Sequence, residues 1–272
     1  MPVVATNTAA NSALRFLNYN SSQASSSVGK LASGSRIVKA SDDAAGLAIG
    51  TKLKADVTVL AQAGVNASQG ASMVQVADGG LARIADVLTR MKTLAAQSLS
   101  GVPTDTERGY IDAEFQQLIA ELDGIANTTR FNGDSLLDGT KGSVEFFVGT
   151  NVGDNISVDF STGYDSGGLG VDAEAVNTAS AAGSAMAAID TAIGTVSSAR
   201  ATFGAQISRF EFRGQQVATS LENIDAAKSA IMDVDLAAEQ SKLVSNQVLV
   251  QAAVSAVSQA NQIPQSLLRV LQ

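Results

Sequence analysis

NSALRFLNYNSSQASSSVGKL, residues 11–31, places Leu14, Leu17, Ser21, Ala24, Val28 and Leu31 at alternating steps of three and four. That is the spacing of a helix packed along a narrow heptad seam, here with a small and polar middle. Such a helix is marginal alone. A solvent-exposed amphipathic helix on a globule is the competing interpretation, and the run Ser25–Ser27 with its small apolar face argues against it. At the far end of the chain Leu236, Leu243, Val250 and Val257 recur every seven residues, flanked by Val244, Val248 and Val254. Pro264 should interrupt this second pattern, and Leu267, Leu268 and Leu271 finish the chain. Two weak seams at opposite termini are expected to pack on each other, which brings the chain ends together and makes the path a hairpin.

Between them the spacing predicts long helices from Ala44 to about Ser100, from Asp105 to about Asn127, and from about Asn177 to Asn223. At about 1.5 Å per residue the first would run roughly 80 Å if unbroken. Gly64, Gly70, Gly79 and Gly80 fall inside it, so either the helix bends there or close packing needs the missing side chains. Gly101–Asp105 reads as a break and restart with Thr104 or Asp105 as N-cap, and FNGDSLLDG (131–139) as turn-rich. VEFFV (144–148) and ISVDF (156–160) read as a β-hairpin followed by the Gly-rich TGYDSGGLG. The expected fold is mainly α: an elongated antiparallel helical bundle with terminal coiled-coil helices and a small β-hairpin region at the tip.

Composition narrows the function. Among 272 residues 45% are hydrophobic but only 4% aromatic, and tryptophan is absent, so burial rests on Ala, Val, Leu and Ile. These suit thin helix-on-helix seams. There is no cysteine and no histidine, which removes thiolate and imidazole metal ligands and every Ser-His-Asp or Cys-His arrangement. No catalytic, metal or cofactor site is expected. The formal charge of −8 opposes nucleic acid and anionic lipid, and the terminal seams offer Ser, Asn, Gln and Ala rather than basic faces with bulky anchors. Neither nucleic acid nor a membrane is an expected partner, and the N-terminal residues show no basic region followed by an apolar run.

RIVKASDDAAGLAIG (36–50), which joins the first two helical patterns, is the stretch most like a ligand loop. A phosphate loop needs GxxxxGK[ST] after a strand, and here Thr51 precedes Lys52 with no strand before. A calcium loop needs alternating oxygen ligands, and Asp42 and Asp43 are adjacent. The structural alternative has Ser41 capping the helix that opens at Ala44, Asp42 and Asp43 at the positive end of its dipole, and Arg36 and Lys39 as counter-charges. Glu121 with Asp123, and Asp233 with Asp235, read as solvated helix faces rather than acid–base pairs.

LASGSRIVKASDDAAGLAIGTKL and the terminal SQANQIPQSLLRVLQ resemble the two signatures of bacterial flagellin. The similarity continues in order through LTRMKTLAAQS, DAEFQQLIAELDGIANTTRFNGDSLLDG, the FFVG turn into ISVDF, and ENIDAAKSAIMDVDLAAEQSKL. The resemblance implies a structural protein that is exported and polymerises into the extracellular flagellar filament for swimming. Residues 1–40 and 231–272 would form an inner coiled-coil domain, and 41–230 a helical outer-lying domain with a small β region at about 140–170. The short distance between FNGDSLLDG and the C-terminal pattern implies a minimal form without large outer domains. Leu14, Leu17, Val28, Leu31, Leu236, Leu243, Val250, Val257, Leu267, Leu268 and Leu271 would build the inner assembly, and Arg36, Ser41, Asp42 and Asp43 the interdomain connection. The implied partners are other flagellin subunits, an export chaperone that binds the C-terminal segment, and the filament cap and hook-filament junction proteins. A toll-like innate receptor is implied through Arg90, Leu94 and Glu114, although Met91 and Thr93 depart from the usual Val and Glu. The implied export route is type III flagellar secretion without a cleaved signal.

A hook-filament junction protein, similar to flagellin at its ends, is the nearest alternative. Such proteins are typically longer and diverge more between the two signatures. An enzyme would need an inserted catalytic domain, for which the chain has no room.

Overall fold

The computed structural model describes residues 7–270, with side chains described as far as 262. Five helices and two antiparallel hairpins make up the regular structure of these residues. They fall into two compact units: the residues up to Asp56 together with those from Asn223 onward, and the middle of the chain, Val57–Glu222.

In the terminal unit, α1 (Thr8–Ser33) starts at Asn7, whose side chain accepts from the Ala10 amide at 3.0 Å, and stops at Gly34 in the left-handed conformation. Its partner α5 (Leu236–Val270) starts at Asp235, whose carboxylate accepts from the Ala238 amide. Pro264 does not end α5: a proline removes one intrahelical bond, and the backbone continues helical to Val270. The side chains of Leu267 and Leu268, and all of Leu271, lie outside the described residues. The two helices run antiparallel. Asn7 Nδ2 donates to the Ala260 carbonyl at 2.8 Å near one end, and Ser27 Oγ to Glu239 Oε1 at 2.7 Å near the other.

At the closed end the chain leaving α1 pairs with the turn before α5. Arg36 N donates to Met232 O at 2.7 Å, Val234 N to Gly34 O at 3.1 Å, and Ser35 bridges to Asp233. The Arg36 guanidinium gives two further bonds, at 3.0 and 2.8 Å, to the Ile231 carbonyl in the last turn of the long helix α4 (Ala179–Met232), where the helix dipole favours a cation. α4 thus runs beyond the expected Asn223. The next helix, α2 (Ala44–Leu99), is capped by Asp43, whose Oδ1 accepts from Gly46 N at 2.8 Å. Ser41, expected to hold this cap, lies two positions before Asp43, too far back to be the N-cap.

In the middle unit α2 is unbroken, and two of its four glycines there, Gly70 and Gly80, are packing positions. A Cβ on Gly70 would lie 2.5 Å from the Phe210 ring, and one on Gly80 2.6–2.8 Å from Thr129 and Leu137, whereas Gly79 faces open space. α3 (Asp105–Thr128) opens with a capping box: Thr104 N donates to Glu107 Oε2 at 2.7 Å and Glu107 N returns to Thr104 Oγ1. The stretch read as turn-rich is a tight hairpin, β1 (Arg130–Phe131) with β2 (Asp134–Ser135). Asn132 and Gly133 make its turn at φ 53° and 92°, the conformation for which Asn-Gly is the strongest short signal.

The second hairpin pairs β3 (Gly142–Phe147) with β4 (Asn155–Phe160), Val144 opposite Val158. Ile156, Val158 and Phe160 alternate into the core with Leu81, Leu88, Phe115, Leu122 and Ile189. Phe146 meets Phe210 edge-on at 5.3 Å, and Phe160 lies 5.6 Å from Phe203. The irregular segment between β4 and α4 is stitched down by α3: Asp123 accepts from the amide and hydroxyl of Ser166, Asp112 from Val176 N, and Gln116 donates to Glu174 O. Asp123, read as solvated, is a loop anchor.

Candidate assembly surface on the terminal helices

The seam between α1 and α5 is built from Ala10, Ala13, Leu17, Asn20, Ala24, Ser27 and Leu31 against Glu239, Leu243, Asn246, Val250, Ala253, Val257 and Ala260, the residues that alternate at three and four and lose exposure. Leu17 and Leu31 therefore lie on it, as do Leu243, Val250 and Val257. Leu14, Ser21 and Val28 keep the same sevenfold period but form a neighbouring line that faces outward, and Leu236 is exposed. With alanine, serine or asparagine at most of its α1 positions the seam removes little apolar surface from water, at about 25 cal/mol per Å².

The apolar surface left over is considerable. Leu14, Val28, Val244 and Val254 are each about half exposed, Phe16 and Tyr19 more than half, and Val248 and Leu249 also face out.

Glu239 is the charged residue buried in this seam, at 6% exposure, and the only one so buried among the described residues. The Ser27 hydroxyl holds its carboxyl below the usual glutamate range; burial opposes this, while Lys242, at 3.4 Å, and Lys30 assist. Within the connection, Asp42 Oδ2 accepts from the amides of Lys39 (3.0 Å) and Val38 (3.1 Å), and these two bonds hold its carboxyl below the usual aspartate range. Arg36 lies 3.6 Å from Asp43, an exposed pair worth well under 1 kcal/mol, so its bonds to Ile231 O matter more. Ser41 is exposed.

In the middle unit, Arg90 Nε and Nη2 both donate to Glu114 Oε1, at 2.9 and 2.6 Å, joining α2 to α3. Leu94 is 2% exposed and belongs to the core behind this pair. Among the described residues no cluster of three or more Asp or Glu could hold a metal ion, and no helix is long and apolar enough to cross a membrane.

Paired terminal helices with surplus apolar surface, joined to a separately cored helical unit, define a helical assembly subunit. Similarity to known proteins gives the family. Residues 4–142 match the bacterial flagellin N-terminal helical region and residues 186–271 the bacterial flagellin C-terminal helical region. The chain is similar to the flagellin of Halalkalibacterium halodurans, 38% identical across 97% of this chain and 98% of that protein. It is also similar to the flagellar filament 30.7 kDa core protein of Treponema maltophilum, 34% identical across 94% and 95%. The crystal structure of Bacillus cereus flagellin superposes with a TM-score of 0.52 at 30% identity, covering 60% of this chain and 94% of that one. The chain belongs to the bacterial flagellin family. The matched relatives favour a filament subunit over the hook-filament junction alternative.

Proposed function

We propose that this chain is exported and polymerises with copies of itself, or with sister flagellins, into the extracellular flagellar filament used for swimming. The observation that carries this function is the terminal helix pair, which leaves Leu14, Phe16, Val28, Val244, Val248 and Val254 exposed around a seam rich in alanine and polar residues. Neighbouring subunits supply the missing burial, and a folded pair that depends on partners stays loose enough before assembly to pass an export channel.

In this proposal residues 1–40 and 231–272 form the inner coiled-coil layer and 41–230 the outer-lying layer, with Arg36, Ser41, Asp42 and Asp43 as the connection. Family membership supports type III flagellar export without a cleaved signal, an export chaperone on the C-terminal segment, and contact with cap and hook-filament junction proteins. It also supports a toll-like receptor contact at Arg90 and Glu114, with Leu94 as the packed base beneath them.

The test is polymerisation of purified chain followed by electron microscopy. The intact chain is expected to give helical filaments, and a chain lacking Leu236–Gln272 soluble monomers with an intact middle unit. Normal filaments from the shortened chain would overturn the proposal.

A further inference from the structure

The two sides of the α1–α5 seam differ in chemistry. Along one side runs an open groove of about 460 Å³ lined by the apolar Ala24, Val28, Leu243 and Val250 and by the uncharged polar Ser21, Ser25, Gln247 and Gln251. The charged residues of α1 and of α5 as far as 262 are Arg15, Lys30, Glu239 and Lys242, and none of them lines it. On the other side of the seam a second groove carries Lys30, Glu239 and Lys242, together with Tyr19 and Leu249. Phe16 and Tyr19, the exposed aromatic residues of α1, are 63% and 61% accessible.

We infer that the uncharged groove is a subunit-docking site and that its occupant is the aromatic pair Phe16 and Tyr19 of a second copy of this chain, an inference that rests on the filament-subunit function proposed above. A groove without charge offers a charged partner nothing to pair with, so its occupant is an uncharged side chain with an apolar body. The groove is open along its length, so a ring from another chain can lie in it. The serine hydroxyls and glutamine amides of the lining suit a ring with a polar tip, as tyrosine has, and aromatic anchors carry much of the energy of protein contacts. Tyr19 lines the opposite groove of its own helix pair, so a single copy cannot satisfy both surfaces. A contact between two different faces is heterologous, and repeated without closure it generates an open helical polymer.

The chain has no cysteine, which makes the contact directly testable. Chains carrying Tyr19→Cys and Gln247→Cys are mixed, polymerised and oxidised, with wild-type chain polymerised alongside. The expected result is disulfide-linked dimer abundant in mixed filaments and at least tenfold scarcer in filaments of either variant alone. In parallel, Phe16→Ser with Tyr19→Ser should raise the concentration needed for polymerisation at least tenfold without moving the melting of the middle unit. Mixed filaments that yield only like-with-like dimers, or an unchanged polymerisation threshold for the serine variant, would overturn the docking. Wild-type filaments separate that failure from failure of the filament function itself.

Discussion

Gly70 offers a sharp test of the packing. It lies on α2 directly beneath Phe210, and an added methyl group would fall 2.5 Å from Cε1 and 2.6 Å from Cζ of that ring. The ring is buried and held edge-on by Phe146 at 5.3 Å, so it has little room to withdraw. Overpacking of this kind costs about 1–3 kcal/mol. Replacing a helical glycine by alanine returns about 1 kcal/mol, leaving Gly70→Ala destabilising by about 1 kcal/mol. Gly79 sits on the same helix with nothing within 4 Å of the place an added methyl group would take, so Gly79→Ala keeps the whole helical gain. The two variants should differ by about 2 kcal/mol, or roughly 4–8 °C in the melting of a unit this size. Calorimetry of each purified chain reads the difference. A Gly70→Ala chain that melts at or above Gly79→Ala would refute the idea that the glycine seats the ring.

Two further outcomes are expected. Because the Glu239 carboxyl is held below its usual range, its contribution is present above the ordinary glutamate value of 4.5 and is lost as pH falls through the lower folded value. Ser27→Ala removes the main cause, moving the folded value back toward 4.5 and shrinking that contribution. Amide exchange in α1 and α5 during acid titration of filaments should then rise at higher pH in the variant, and identical titrations would count against it. Arg36→Ala removes two exposed hydrogen bonds to Ile231 O, worth about 1 kcal/mol together. Limited proteolysis within Gly34–Asp43 should accelerate about fivefold, with Arg36→Lys intermediate, and an unchanged cleavage rate would show that the guanidinium does not hold the turn.

Much of the fold is legible in the residues because local signals agree. α2 and α3 end within a residue or so of where periodicity and caps put them, and Thr104 opens α3 as its capping box requires. The phase of the terminal seam is a different matter. Leu14, Ser21 and Val28 share their period with Leu17, Ala24 and Leu31, and a sevenfold count cannot say which of two adjacent lines meets the partner helix. Asn20, Ser27 and Glu239 join the seam although their polarity argues for the surface, and only the opposing helix supplies the hydroxyl that makes the glutamate acceptable there. The Asn132-Gly133 hairpin is in principle readable from that dipeptide, whereas Arg36 takes a backbone carbonyl nearly two hundred positions away, a partner with no side-chain signature.

The antiparallel register of α1 and α5 has a mechanical consequence. Asn7 lies beside Ala260, so tension applied to the two helices at that end does not slide them past each other. It peels them apart from the open end, loading one turn of contacts at a time, and each step breaks little because each layer is small. The peeling front crosses Ser27–Glu239 and stops at the Arg36–Ile231 clamp, where several bonds must yield together. A chain built this way unzips easily from its ends and resists at the knot of hydrogen bonds where the helices turn back.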